Sequence, residues 1–290
     1  MSREPWSVEG KVCLVTGATG DMGRVIVGDL ARRGAIVEMV CRSAERGEAL
    51  KREIAEATGN QRVDYLVADL SDQAAIRKLV EVFRGRHDVL HVLVNNAGAH
   101  FRERRLSVDG IECHLAINHL APFLLTNLLI ELLTAGAPSR VVNVVSQSMA
   151  GVTLDLDDLQ SERRFRPMEA YGRSKLALLM TGYALARRLA GAKVTVNALH
   201  PGLVSTSIVD DLAPMIVKPF LGVIKAFMLS PQEGAKPALH LVTAPELADV
   251  TGAYFLRMKQ RRTAPSSDNL NLQEKLWRIS ARLVSLEGRL

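Results

Sequence analysis

The chain has three cysteines, Cys13, Cys41 and Cys113, an odd number at wide spacing that supports neither a disulfide framework nor a zinc ligand set. No metal site is expected. No apolar run reaches the roughly 18 residues of a membrane-spanning helix, because Pro, Asn or a charged residue interrupts each one sooner. The N-terminal residues MSREPWSVEG lack the apolar core of a secretory signal. These absences predict a cytoplasmic protein without a membrane span. No linker rich in Gly, Ser or Pro divides the 290 residues, and no internal repeat appears, so a single domain over 1–290 is expected. The basic excess is small, a net charge of +6, and is scattered in pairs such as Arg32-Arg33, Arg104-Arg105, Arg187-Arg188 and Arg261-Arg262. Such scatter does not make a nucleic-acid-binding stripe, although anionic small molecules stay open as ligands.

What is present is a core-forming composition, 48% hydrophobic and 23% charged, arranged in a repeating pattern. Short apolar, β-branched runs at 11–16, 36–41, 63–67, 89–95, 140–146, 194–199 and 253–256 predict seven strands. Helical spacing fills the intervals: 22–33, 44–58, 72–84, a long apolar stretch at 108–133 in which Pro122 is expected to kink the axis, 169–189 and 232–243. A polar, Asp-rich insert spans 155–168. Leu272, Leu276, Ile279, Leu283 and Leu286 predict an amphipathic C-terminal helix over 270–287. Apolar strands alternating with helices imply the doubly wound α/β (Rossmann) architecture, a parallel sheet covered on both faces. The apolar segment 207–229, interrupted by Pro214 and Pro219, reads either as a substrate lid or as a subunit interface, which leaves homo-oligomerisation open.

In such a sheet, ligands bind outside the carboxyl ends of the strands. The first strand runs into Thr16-Gly17-Ala18-Thr19-Gly20-Asp21-Met22-Gly23 and then a helix. This context suits a dinucleotide pyrophosphate on a helix N-terminus, the alternative being a structural tight turn. The second strand ends in Cys41-Arg42, where a guanidinium suits the 2′-phosphate of NADP rather than the ribose of NAD; the alternative is a solvated arginine. The third ends in Ala68-Asp69-Leu70, and Asp69 serves equally as an adenine contact or a helix cap. The fourth ends in Asn95-Asn96-Ala97-Gly98, a cofactor approach or a turn. Tyr171 and Lys175 stand one helical turn apart, after a strand ending in Ser146. A cation about 4 Å from a phenol lowers its pKa by at most roughly three units, which would make Tyr171 an acid/base near neutral pH.

These motifs, in this order and joined by NHLAPF (118–123) and HPGLVST (200–206), resemble the short-chain dehydrogenase/reductase superfamily in its compact form. NHLAPFLLTNLL, VTVNALHPG and TGAYF are similar to the retinol-dehydrogenase-like branch. The resemblance implies an NADP(H)-preferring oxidoreductase that interconverts a lipophilic alcohol with a ketone or aldehyde. It implies Tyr171 as acid/base, Ser146 as hydrogen-bond donor to the substrate oxygen (with Ser148 as substitute), Lys175 on the nicotinamide ribose, and Asn118 supporting a water chain. Gly17, Thr19, Gly20, Asp21, Met22, Gly23, Arg42, Asp69, Leu70, Asn96, Ala97, Gly98, Tyr171, Lys175, Pro201, Gly202, Val204 and Thr206 would line the cofactor. His200 is expected to be structural. One departure is Asp21, where the compact form carries Gly; its carboxylate should weaken pyrophosphate binding unless it caps the helix or Arg24 neutralises it. The competing reading is a dinucleotide-binding sensor or scaffold of the same fold.

Overall fold

A computed structural model describes residues 6–205 and 228–287. The expected lid at 207–229 therefore lies outside the described residues except for its last two, and Thr206 lies outside them altogether. Eight strands form one sheet in the order β3-β2-β1-β4-β5-β6-β7-β8: β1 (Val12–Thr16), β2 (Ile36–Cys41), β3 (Val63–Val67), β4 (Val92–Asn95), β5 (Ser139–Val144), β6 (Val194–His200), β7 (Tyr254–Leu256) and β8 (Lys259–Arg261). The first seven are parallel, as their apolar runs predict, and β8 returns antiparallel against β7. Sequence reading missed β8 because Lys259, Gln260 and Arg261 are exposed and carry no apolar signal.

Helices cover both faces. Alternate strand residues separate into two cores: Cys13, Val15, Val92 and Val94 pack under α1 (Asp21–Arg32), α2 (Ala44–Thr58) and α8 (Pro231–Thr243). Val12, Leu14, Leu93 and Val141 face α3 (Gln73–Arg86), α4 (Cys113–Leu115), α5 (Ala121–Leu128), α6 (Ile130–Ala135), α7 (Pro167–Arg188) and α9 (Leu270–Leu283). Each face holds one tryptophan. Trp6 stacks on the Arg140 guanidinium at 4.4 Å and donates its indole N–H to the Val242 carbonyl at 2.7 Å. Trp277 of α9 lies between Arg188, at 4.1 Å, and the edge of Phe123.

The long helix expected at 108–133 is instead divided. Glu112 caps α4, a π-helical turn occupies Ala116–Leu120, and α5 resumes before a break at Leu129. Pro122 is not the site of a simple kink; it sits in the first turn of the resumed helix. Its ring would clash with the carbonyl four residues back, that of Asn118, and the widened turn, in which Ala121 N–H reaches the Ala116 carbonyl, relieves this.

Candidate active site

The glycine-rich turn is built by close approach. Gly17 has φ +64°, and a Cβ there would lie 2.9 Å from Ala97 Cα. A Cβ on Gly23 would lie 2.1 Å from the Gly17 carbonyl oxygen, so that position also excludes any side chain. Thr16, which sequence reasoning passed over, locks this turn to the end of β4. Its hydroxyl accepts from Asn96 N–H at 3.0 Å and Ala97 N–H at 3.1 Å, while Asn96 Nδ2 donates to the Thr16 and Gly17 carbonyls. Asn96 thus ties the end of β4 to the turn. These bonds span 80 positions of sequence, and nothing in local spacing announces them.

One expectation at this turn is corrected. Asp21 does not cap α1: Gly20 is the N-cap, without a side-chain bond, and Asp21 is the first helical residue. Arg24 pairs with Glu53 of α2. Arg42 is exposed at the end of β2, and Ser43 caps α2 by accepting from Arg46 N–H. Asp69 caps no helix, since Asp72 accepts from Ala74 and Ala75 N–H; Asp69 accepts instead from the backbone and hydroxyl of Ser71. Leu70 follows, half-buried. On the far side Gly202 has φ +100° and faces Leu229, and Val204 pairs with Leu229 in an isolated bridge beside Pro201. His200 is buried at the end of β6, its pKa lowered to about 4 by burial, as suits a structural residue.

The reactive side chains converge between α7, β5 and the π turn. Tyr171 is buried, which raises its pKa, and the Ser146 side chain opposes that rise; Ser146 Oγ itself accepts from Ser148 N–H at 3.3 Å. The Ser148 hydroxyl is buried without a partner. Lys175, 3% exposed, donates to the Val144 carbonyl at 2.9 Å. Asn118 on the π turn accepts from Ala99 N–H at 2.8 Å and donates to the Ala99 carbonyl and to Ser174 Oγ at 3.1 Å. Gly98 leaves room for both partners, since a Cβ there would sit 3.2 Å from Lys175 Nζ and 3.5 Å from Asn118 Oδ1. The expected lowering of the Tyr171 pKa by Lys175 is not what this arrangement produces. Burial pushes the phenol up, opposed by the Ser146 hydrogen bond, and burial pulls the Lys175 ammonium down to about 8. Both groups sit in low dielectric, where each charged form is disfavoured.

A family model for short chain dehydrogenases matches residues 11–216. The chain belongs to the short-chain dehydrogenase family. This dehydrogenase is an oxidoreductase of the retinol-dehydrogenase-like branch: it is similar to human retinol dehydrogenase 13, 37% identical over 287 residues that cover 97% of this chain and 87% of the relative. Among solved structures it resembles an uncharacterized protein from Mycobacterium paratuberculosis, with TM-score 0.79, 29% identity and coverage of 99% of this chain and 98% of the other. It also resembles a Pseudomonas aeruginosa RhlG/NADP active-site complex, with TM-score 0.70, 27% identity and coverage of 87% and 97%. Among the described residues, no helix of this dehydrogenase is long and apolar enough to cross a membrane.

Proposed function

We propose that this chain is an NADP(H)-dependent oxidoreductase that interconverts a lipophilic alcohol and its ketone or aldehyde, with Tyr171 as the proton-transferring group. The observation that carries the reading is the gathering of buried Tyr171, Lys175 and Asn118, with Gly98 set against both Lys175 Nζ and Asn118 Oδ1. The turn at Gly17 and Gly23, where a Cβ is sterically excluded, fits close passage of a pyrophosphate. Gly17, Thr19, Gly20, Asp21, Met22 and Gly23 would hold that group. Arg42 would hold the 2′-phosphate, Asp69 and Leu70 the adenine, Asn96, Ala97 and Gly98 the adjoining ribose, and Pro201, Gly202, Val204 and Thr206 the nicotinamide end. The NADP in the P. aeruginosa complex supports this choice of cofactor. The nicotinamide, when bound, supplies or accepts the hydride. Tyr171 donates its hydroxyl proton to the substrate oxygen in reduction and takes it back in oxidation, while the Ser146 hydroxyl donates a hydrogen bond to that oxygen. Burial keeps the phenol protonated at neutral pH, the state a general acid needs for carbonyl reduction. Lys175 would bind the ribose hydroxyls, and Asn118 anchors the strand-end loop through Ala99.

The lipophilic substrate class rests on the segment 207–229, where Ile208, Val209, Met215, Ile216, Phe220 and Phe227 are among many apolar residues and only Asp210, Asp211, Lys218 and Lys225 are charged. A cytoplasmic setting is part of the same reading, supported by three free, buried thiols. The deciding experiment follows NADPH absorbance against a panel of aldehydes and ketones. Tyr171→Phe should abolish turnover while NADPH still binds, because the hydroxyl acts on the substrate. Substantial activity in Tyr171→Phe would refute the mechanism. NADPH binding by the unmodified protein without oxidation of cofactor across the panel would establish the sensor reading instead.

A further inference from the structure

Behind Tyr171 lies a buried group that the proposed chemistry does not use. His114, fully buried, is bonded at both ring nitrogens: Nδ1 meets Glu112 Oε1 at 2.8 Å, and Nε2 accepts from Phe101 N–H at 2.9 Å. Because Nε2 is an acceptor, the proton of the neutral ring sits on Nδ1 and is donated to the carboxylate. Glu112, 2% exposed, also accepts from His114 N–H and Leu115 N–H as the cap of α4, so its buried charge is met by three donors. The imidazole stacks on Phe165 of the polar insert, with centroids 5.8 Å apart, and meets Tyr171 edge-on at 6.1 Å. Phe101 belongs to the loop that leaves β4 past Gly98 and Ala99, and Phe165 belongs to the segment that enters α7. One side chain therefore touches both loops that flank the phenol. The same two loops meet again where Gln160 accepts from Glu112 N–H and Arg104 Nε donates to the Gln160 carbonyl.

The geometry points to His114, oriented by Glu112, as a positioning residue that holds the Ala99–Phe101 loop and the ring of Tyr171 in register. The inference rests on the reading of Tyr171 as the proton-transferring group. An unpaired Phe101 N–H would have to leave the buried cluster to find water, carrying with it the backbone that also anchors Asn118. Displacements of about 1 Å in such a frame cost on the order of a hundredfold in rate.

The test compares His114→Gln, His114→Asn and His114→Phe. The Gln amide oxygen reaches the place of Nε2 and can still accept from Phe101 N–H; Asn retains only the donor toward Glu112, and Phe retains only the ring. Two quantities are read: kcat with NADPH and decanal, and hydrogen exchange of the Phe101 amide. Asn and Phe should lower kcat at least about tenfold, leave NADPH affinity within a factor of about two, and expose the Phe101 amide to exchange. Gln should restore slow exchange and most of kcat. Wild-type kcat with slow exchange in either Asn or Phe would overturn the inference. Equal impairment of Gln and Asn would overturn it too, since the ring alone would then be what matters. Tyr171→Phe is measured alongside: if it stays active, the acid/base reading fails, while Phe101 exchange in the His114 series still reports on the loop.

Discussion

Asp21 occupies the first turn of α1, where a carboxylate favours the positive end of the helix by about 0.3–1 kcal/mol. The same N–H groups would receive a pyrophosphate, so the side chain competes with the ligand it borders. Asp21→Gly should therefore bind NADPH more tightly, most clearly at low salt, while losing about 1 kcal/mol of stability. Dissociation constants for both proteins at low and high salt check this; unchanged or weaker binding by the Gly variant would show that the carboxylate serves the site. Lys175 is a second residue whose function opposes its stability. Its pKa falls to about 8 in the fold, so between that value and its ordinary one near 10.5 the unfolded chain carries more protons and stability rises with pH. Below pH 8 the penalty is full, at most about 3 kcal/mol. Lys175→Met should melt higher than the unmodified protein at pH 7, the gap narrowing as pH approaches 10, and should be inactive. A lower melting temperature at pH 7 would mean that the bond to the Val144 carbonyl outweighs the buried charge.

Among the elements, the π turn and α9 depend on one another. His119 on the turn is fully buried and meets Ser280 Oγ of α9 at 2.7 Å, and burial lowers its pKa to about 3. The unfolded chain takes up that proton near pH 6.5 and the fold does not, so stability is lost as pH falls through this interval, by about 2 kcal/mol at pH 5. Urea midpoints at pH 7.5 and 5 should show this loss, and His119→Asn should shrink it; an identical loss in both proteins would assign the effect to other groups. The elements also show where local pattern suffices. β2, α2 and β3 fall at the bounds their apolar spacing predicts, because Ser43 and Gly59 punctuate the helix between two apolar runs. The helix at 108–133 failed because its breaks come from Glu112 capping and from the clash of Pro122 with Asn118, neither of which changes hydrophobic periodicity. At the site, Ser146, Tyr171 and Lys175 were legible because family spacing and strand ends point to them. Thr16, His114 and Ser174 were not, since they act through partners 13 to 81 positions away.

For the molecule as a whole, cofactor binding should appear as stability, because a ligand held only by the fold adds about 2.7 kcal/mol at a hundred times its dissociation constant. NADPH should raise the melting temperature more than NADH at equal concentration, and Arg42→Leu should erase most of the difference by removing the charge-assisted bond to the 2′-phosphate. Equal shifts from both cofactors in the unmodified protein would reject the preference. The opposed placement of the two tryptophans offers a way to observe such changes locally. Trp6, partly buried, packs against the core beneath α1, α2 and α8, and Trp277 of α9 is buried in the core on the opposite face. With only these two indoles in the chain, Trp6→Phe and Trp277→Phe each leave a fluorophore confined to one side of the sheet. Emission from the pair would then tell whether the two sides of the sandwich melt together or in succession, without any added label.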